Sequence, residues 1–120
     1  MTPPATTAVN ARRETLLWIA QRASAAVLAL CVIVHLITVV YAARGGLSAA
    51  EILARTRGSA GWLVFYSLFV LAVSVHAPIG LRAVALEWLG WRGVSRDWAM
   101  LAIGIALATA GLRAVWGVFA

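Results

Sequence analysis

The sequence predicts an all-α membrane protein: one domain of three transmembrane helices running up-down-up, part of a larger helical bundle. Three observations carry that expectation. Of the 120 residues, 63% are hydrophobic and the mean hydropathy is +0.93, more apolar surface than a small soluble core can hide. Three apolar stretches, 23–43, 61–81 and 98–112 with an extension toward 120, each approach the ~20 residues that cross a ~30 Å hydrocarbon layer as helix. All six tryptophans fall near the ends of those stretches, where an indole keeps one edge wet and its body apolar.

The opening MTPPATTAVNARRET lacks the order of charged region, apolar run and small-residue cleavage site that marks a removable signal. Residues 1–10 are therefore expected to form a flexible cytoplasmic tail ahead of a retained first span. Helix one is expected over about 11–43, stopped by Gly45 and Gly46. In the following LSAAEILART, Ser48 and Glu51 make a capping box with Leu47 and Ile52 at staple positions, which predicts a short surface helix. Gly58 to Gly61 breaks the chain before helix two, about 60–89. Gly90 to Gly93 turns it back, and Ser95 is placed to cap helix three, about 96–117.

All ten basic residues are arginine, and the net charge is +6. Alternating spans gather Arg12, Arg13, Arg22, Arg82, Arg92 and Arg96 on one side, against Arg44, Arg55, Arg57 and Arg113 on the other. The excess puts the N-terminus in the cytoplasm. No interleaving of aromatic and basic residues occurs outside the spans, so the charge is a matter of topology and nucleic acid is not an expected partner. Cys31, alone and mid-span, offers no disulfide framework and reads as a small core packer.

Polar residues inside spans are costly, and they face the bundle interior or mark a site. Ser24, Cys31, His35 and Thr38 follow one another by seven, four and three, within a stripe of roughly 60° on helix one. Ser24 and Thr38 read there as hydroxyls of a packing seam. On helix two, His76, Gly80, Ala83 and Glu87 share a face, with two small residues beside the imidazole where a flat, bulky group could lie. Pro78 frees a backbone carbonyl and can kink the helix. Arg82 points elsewhere but lies ~9 Å nearer the cytoplasm than His76, within snorkelling reach.

A mid-membrane imidazole can be a proton relay, a buried packing residue or an axial ligand to haem iron. Haem suits these surroundings best: an apolar macrocycle against small residues, with Arg82 and Arg22 placed for propionates near the aqueous edge. His35 lies ~20 Å into the membrane from Arg22, so the two imidazoles are expected at different depths and not on one iron.

His76-x-x-x-Gly80-x-Arg82, followed by an acid at Glu87, resembles the H-x-x-x-G-x-R-H-x-x-x-D signature of the cytochrome b membrane-anchor subunit of succinate dehydrogenase and fumarate reductase. Gln21-Arg22-Ala23-Ser24 is similar to that family's H-R-x-S-G quinone-site motif. The likeness covers residues 12–116 in outline. It departs from the family at Ala83 and Gln21, each in place of histidine, at Glu87 in place of aspartate, at Ala25 in place of glycine, and at Trp18 where a serine often stands.

The resemblance implies haem b, one or two, with His76 and then His35 as axial ligands. It implies quinone as substrate at Arg22 and Ser24, Gly80 making room, and Arg82 steadying acidic groups. The implied partners are a second hydrophobic anchor, an iron–sulfur subunit and a flavoprotein subunit; the implied location is a bacterial cytoplasmic (inner) membrane. The chain alone would be catalytically idle. Two other readings stand beside this one: a haem-binding anchor of a formate dehydrogenase or hydrogenase, and a cofactor-free structural or assembly membrane protein whose histidines are merely packed.

Overall fold

A computed structural model describes residues 4–120. Four helices follow in order, α1 (Ala5–Arg44), α2 (Ala49–Thr56), α3 (Ala60–Leu89) and α4 (Val94–Phe119). The three long ones are each long and apolar enough to cross a membrane, so the protein is multi-pass and all-α as expected. Helix α3 lies between α1 and α4 and packs on both.

Ion pairs from α1 and α3 converge on the first turn of α4, whereas the end of α4 meets the start of α3 and α2 at the opposite pole. There the Gly58 amide donates to the Phe119 carbonyl at 2.9 Å and the Thr56 hydroxyl to that of Val118 at 2.9 Å. Those donors satisfy terminal carbonyls that a helix cannot pair by itself.

Boundaries differ from the sequence expectation in two places. Helix α1 begins at Ala5 after Pro4, with no side-chain cap, so residues 5–10 of the expected tail are helical and Asn10 is interior; residues 1–3 lie outside the described residues. Helix α4 begins at Val94 after Gly93, whose φ of 92° only glycine adopts easily. Ser95 is thus inside the helix, and its hydroxyl accepts from the Trp91 indole at 2.9 Å instead of capping.

Elsewhere the punctuation works as read. Leu47 donates to the Ala42 carbonyl and Gly46, at φ 64°, to that of Ala43, the paired bonds that close a helix on a left-handed glycine. The box at α2 is complete, with Glu51 Oε2 accepting from the Ser48 amide at 2.7 Å and Ser48 Oγ from the Glu51 amide at 3.3 Å.

Little of the chain is inside. Among the described residues five hydrophobic ones form the buried core, and the accessible surface of 8467 Å² exceeds the roughly 6,200 Å² expected of a compact monomer of this mass. The molecule measures 65 × 26 × 24 Å. Exposed leucines, isoleucines and valines run along the spans, and Trp18, Trp88, Trp98 and Trp116 are exposed near the helix ends. Such a surface suits lipid and neighbouring helices.

Candidate functional site

The predicted stripe on α1 faces α3. Ser24 and Cys31 are the buried residues of α1, and the helix meets α3 at two levels. At the first, Ser24 Oγ lies 3.4 Å from His76 Nδ1. At the second, His35 Nδ1 lies 3.5 Å from the Tyr66 hydroxyl, and its ring stands edge-on to Tyr66 and Phe69 with centroids 5.9 and 5.7 Å apart. Eleven residues of α1 and ten of α3 separate the two levels, or about 15 Å of helix rise. The imidazoles therefore occupy different depths.

In each pair one helix supplies the imidazole and the other the hydroxyl, and neither Nε2 has a hydrogen-bond partner among the described residues. The Ser24 hydroxyl also donates to the Gln21 carbonyl at 3.1 Å. The Gln21 side chain stands in front of Gly80, its Nε2 3.4 Å from where a Cβ would be. Its Oε1 is the buried side-chain acceptor without a donor among the described residues. A buried unsatisfied acceptor costs on the order of 1–3 kcal/mol, and no donor among the described residues offsets it. Ala83 and Glu87, further along the His76 face, are exposed.

Arg22 and Ser24 are two residues apart, 200° around the helix, and the structure does not bring them together. Arg22 is exposed and lies over the Trp18 ring, 5.5 Å from its centroid. Arg82 is fully engaged: Nη1 and Nη2 reach Glu14 at 3.3 and 2.9 Å, and Nε reaches Asp97 at 3.2 Å. Asp97 also accepts from Arg13 at 2.8 Å and from Arg96 at 3.0 Å. One carboxylate in the first turn of α4, where the helix dipole favours an anion, thus ties all three spans together. Three guanidiniums face two carboxylates, which leaves the cluster one positive charge in excess.

Sequence reasoning did not pair Arg82 with Glu14 and Asp97. The signal was there: these are two of only four acids in the chain, each inside a helix long enough to span, where an acid needs a partner. Tyr66 carried the same kind of signal, being a hydroxyl at membrane depth.

On the other side of α3, Gly104 and Gly111 admit α4. A Cβ on Gly104 would lie 3.2 Å from Pro78 Cγ and 3.2 Å from the Ser74 carbonyl oxygen, and one on Gly111 would lie 2.5 Å from Val70 Cγ1. The Ser74 carbonyl is the one Pro78 leaves without its helical donor. A groove of about 680 Å³ opens beside this contact, lined by Val75, Ile79, Trp98, Leu101 and Ile105 with Arg13 and Asp97 at its polar end.

No cluster of three or more His, Cys, Asp or Glu side chains forms among the described residues, so they make no cage for a bare ion. A porphyrin brings its own four nitrogens and asks only axial imidazoles of the protein. The donor set here, two isolated histidines with bare Nε2 atoms, fits that demand. No curated protein and no solved structure matches the chain. The model of one family, the succinate dehydrogenase/fumarate reductase transmembrane subunit, matches residues 2–112, and with three spans and this coverage the chain belongs to that family.

Proposed function

We propose that the chain is the haem b-binding membrane anchor of a succinate:quinone oxidoreductase, serving electron transfer between an iron–sulfur subunit and membrane quinone. The observation that carries this reading is His76: an imidazole inside a helix pair, its Nδ1 turned to Ser24 and its Nε2 without a hydrogen-bond partner among the described residues. Bound there, haem supplies a one-electron carrier at membrane depth. His76 would hold the iron for this chain, and a partner chain would have to supply the rest of the site. A partner is also a physical requirement, because three helices with so little buried surface cannot enclose a macrocycle.

The remaining residues divide the work. Gly80 and Ala83 keep the His76 face low. Arg82 holds the bundle end, its charge already matched by Glu14 and Asp97, and it can meet a propionate or a quinone oxygen only when one of them lets go. Arg22, exposed and unpaired by any carboxylate among the described residues, is the free cation for quinone, with the Gln21 Oε1 acceptor one residue before it. The N-terminal pole faces the cytoplasm, where the flavoprotein and iron–sulfur subunits dock.

The test is a count of macrocycles by pyridine haemochrome in the purified complex. We expect haem in the wild type, its loss in His76→Ala, and a second haem lost in His35→Ala if the complex holds two. A complex that carries succinate-oxidising subunits yet shows no Soret band overturns the proposal, as does a His76→Ala complex with its haem intact.

A further inference from the structure

We infer that Ser24 is a positioning residue that fixes His76 in the tautomer protonated on Nδ1, so that the Nε2 lone pair is the one left for iron. The inference rests on the haem reading above and departs from the quinone role that the resemblance gave Ser24.

A serine hydroxyl has one proton and two lone pairs. The proton of Ser24 goes to the Gln21 carbonyl at 3.1 Å, a bond from residue i to the carbonyl of i−3 that holds the side chain along its own helix. What Oγ turns toward His76 Nδ1, 3.4 Å away, is therefore a lone pair. Two lone pairs facing each other repel, so Nδ1 carries the hydrogen and Oγ accepts it. Ser24 is 7% exposed, and at this depth no water competes for either bond. A neutral imidazole has one ring hydrogen. Placing it on Nδ1 strips Nε2, the atom without a hydrogen-bond partner among the described residues.

His35 provides the internal contrast. The Tyr66 hydroxyl beside its Nδ1 has no other acceptor among the described residues, so its proton is free to go to Nδ1 and leave the ring hydrogen on Nε2. Distance alone does not separate the two sites, 3.4 against 3.5 Å; the committed proton does. Only His76 is held ready for a metal by the chain itself.

A donated Nδ1 hydrogen bond makes the ligating nitrogen more basic, and outer-shell partners of this kind are typically worth roughly 10- to 100-fold in metal affinity. A more basic ligand favours the ferric state, so losing the bond should move the haem midpoint potential to more positive values.

The experiment compares Ser24→Ala, Ser24→Cys and His76→Ala in the purified complex, reading haem per complex and the midpoint potential by reductive titration. Cysteine keeps the shape of serine while its sulfur is a weak acceptor. The expected result is haem affinity lowered roughly 10- to 100-fold in Ser24→Ala, seen as less haem kept per complex through purification, and a positive shift of the potential in Ser24→Cys. An unchanged potential in Ser24→Cys overturns the inference even where Ser24→Ala fails to assemble, because packing alone does not set a potential. Haem retained in His76→Ala overturns the underlying reading instead; haem lost there with a wild-type Ser24→Cys leaves that reading standing and removes only Ser24.

Discussion

Toward α4, helix α3 presents Val70, Ser74 and Pro78 to Gly104 and Gly111; toward α1 it presents Tyr66, Phe69, His76 and Gly80 to His35, Ser24 and Gln21. The first face gains by close approach. Glycines let the α4 backbone reach a proline ring and a freed carbonyl, and within the spans the contact relies on van der Waals packing that lipid cannot match. The second face gives up tight packing for hydroxyl and imidazole pairs and leaves a buried amide oxygen unsatisfied. A helix pair that needed only stability would not keep that arrangement. The contrast makes α3–α4 the frame and α1–α3 the working surface of the proposed function.

The largest expected effect lies in the frame. Gly111→Leu puts a branched side chain where even a Cβ would stand 2.5 Å from Val70 Cγ1, and overpacking of that order costs on the order of 3 kcal/mol. Thermal unfolding of the detergent-solubilised complex should show it. Val70→Ala in the same chain should recover most of the loss, since the two side chains contest one volume. A Gly111→Leu protein as stable as the wild type would mean that α4 does not sit against Val70.

Next in size is the cluster that joins frame and working surface. Asp97→Asn removes the charge on which Arg13, Arg82 and Arg96 converge. Arg82 and Arg96 are largely covered, with side chains 18% and 8% exposed, while Arg13 is half exposed and contributes little. The expected cost is about 2 kcal/mol, below that of breaking a fully buried pair. Glu14→Gln, at an exposed carboxylate, should cost clearly less in the same assay.

The spans, the surface helix with its box, the glycine stops and the inward stripe of α1 were legible because each is written in one local pattern: hydropathy, capping spacing, or a period of 3.6. The depth difference between His35 and His76 was legible for the same reason, since helix rise is fixed. Pairing between helices was not. Nothing local says that Tyr66 meets His35, that Gln21 stands before Gly80, or that Asp97 collects three arginines, because those contacts depend on the rotation and offset of whole helices. The starts of α1 and α4 differ from the expectation because Ser95 caps only if the chain leaves the helix there and residues 5–10 can be helical, and the helices instead begin after Pro4 and Gly93.

Gly80→Ala separates the two kinds of glycine. Its Cβ would stand 3.4 Å from the Gln21 amide, an ordinary contact with the movable end of a side chain, and alanine is the better helix former. Stability should therefore stay within about 0.5 kcal/mol of the wild type. Haem per complex should fall, because the face beside His76 is where a macrocycle would meet the added methyl. Full haem content in a stable Gly80→Ala complex would move the macrocycle off Gly80 toward Ala83.

The smallest effect isolates α2, which is tied to α4 and thus to the frame. Glu51 has its carboxyl held below the ordinary 4.5, first by the Ser48 amide and then by the Ser48 hydroxyl. A lowered value means that the carboxylate stabilises the helix start fully above pH 4.5 and loses that contribution as the pH falls through the lower, folded value. The protection of the Ser48 and Ile52 amides, measured against their intrinsic exchange rates, should accordingly fall only on acidification below about pH 4.5. Glu51→Gln keeps an acceptor at the same place in the box and should abolish the pH dependence. The haem spectrum should not respond to Glu51→Gln at neutral pH, since the end of α2 meets α4 at the pole opposite the ion-pair cluster. A spectral change there would mean that frame and working surface are coupled, and the division of α3 into two faces would have to be redrawn.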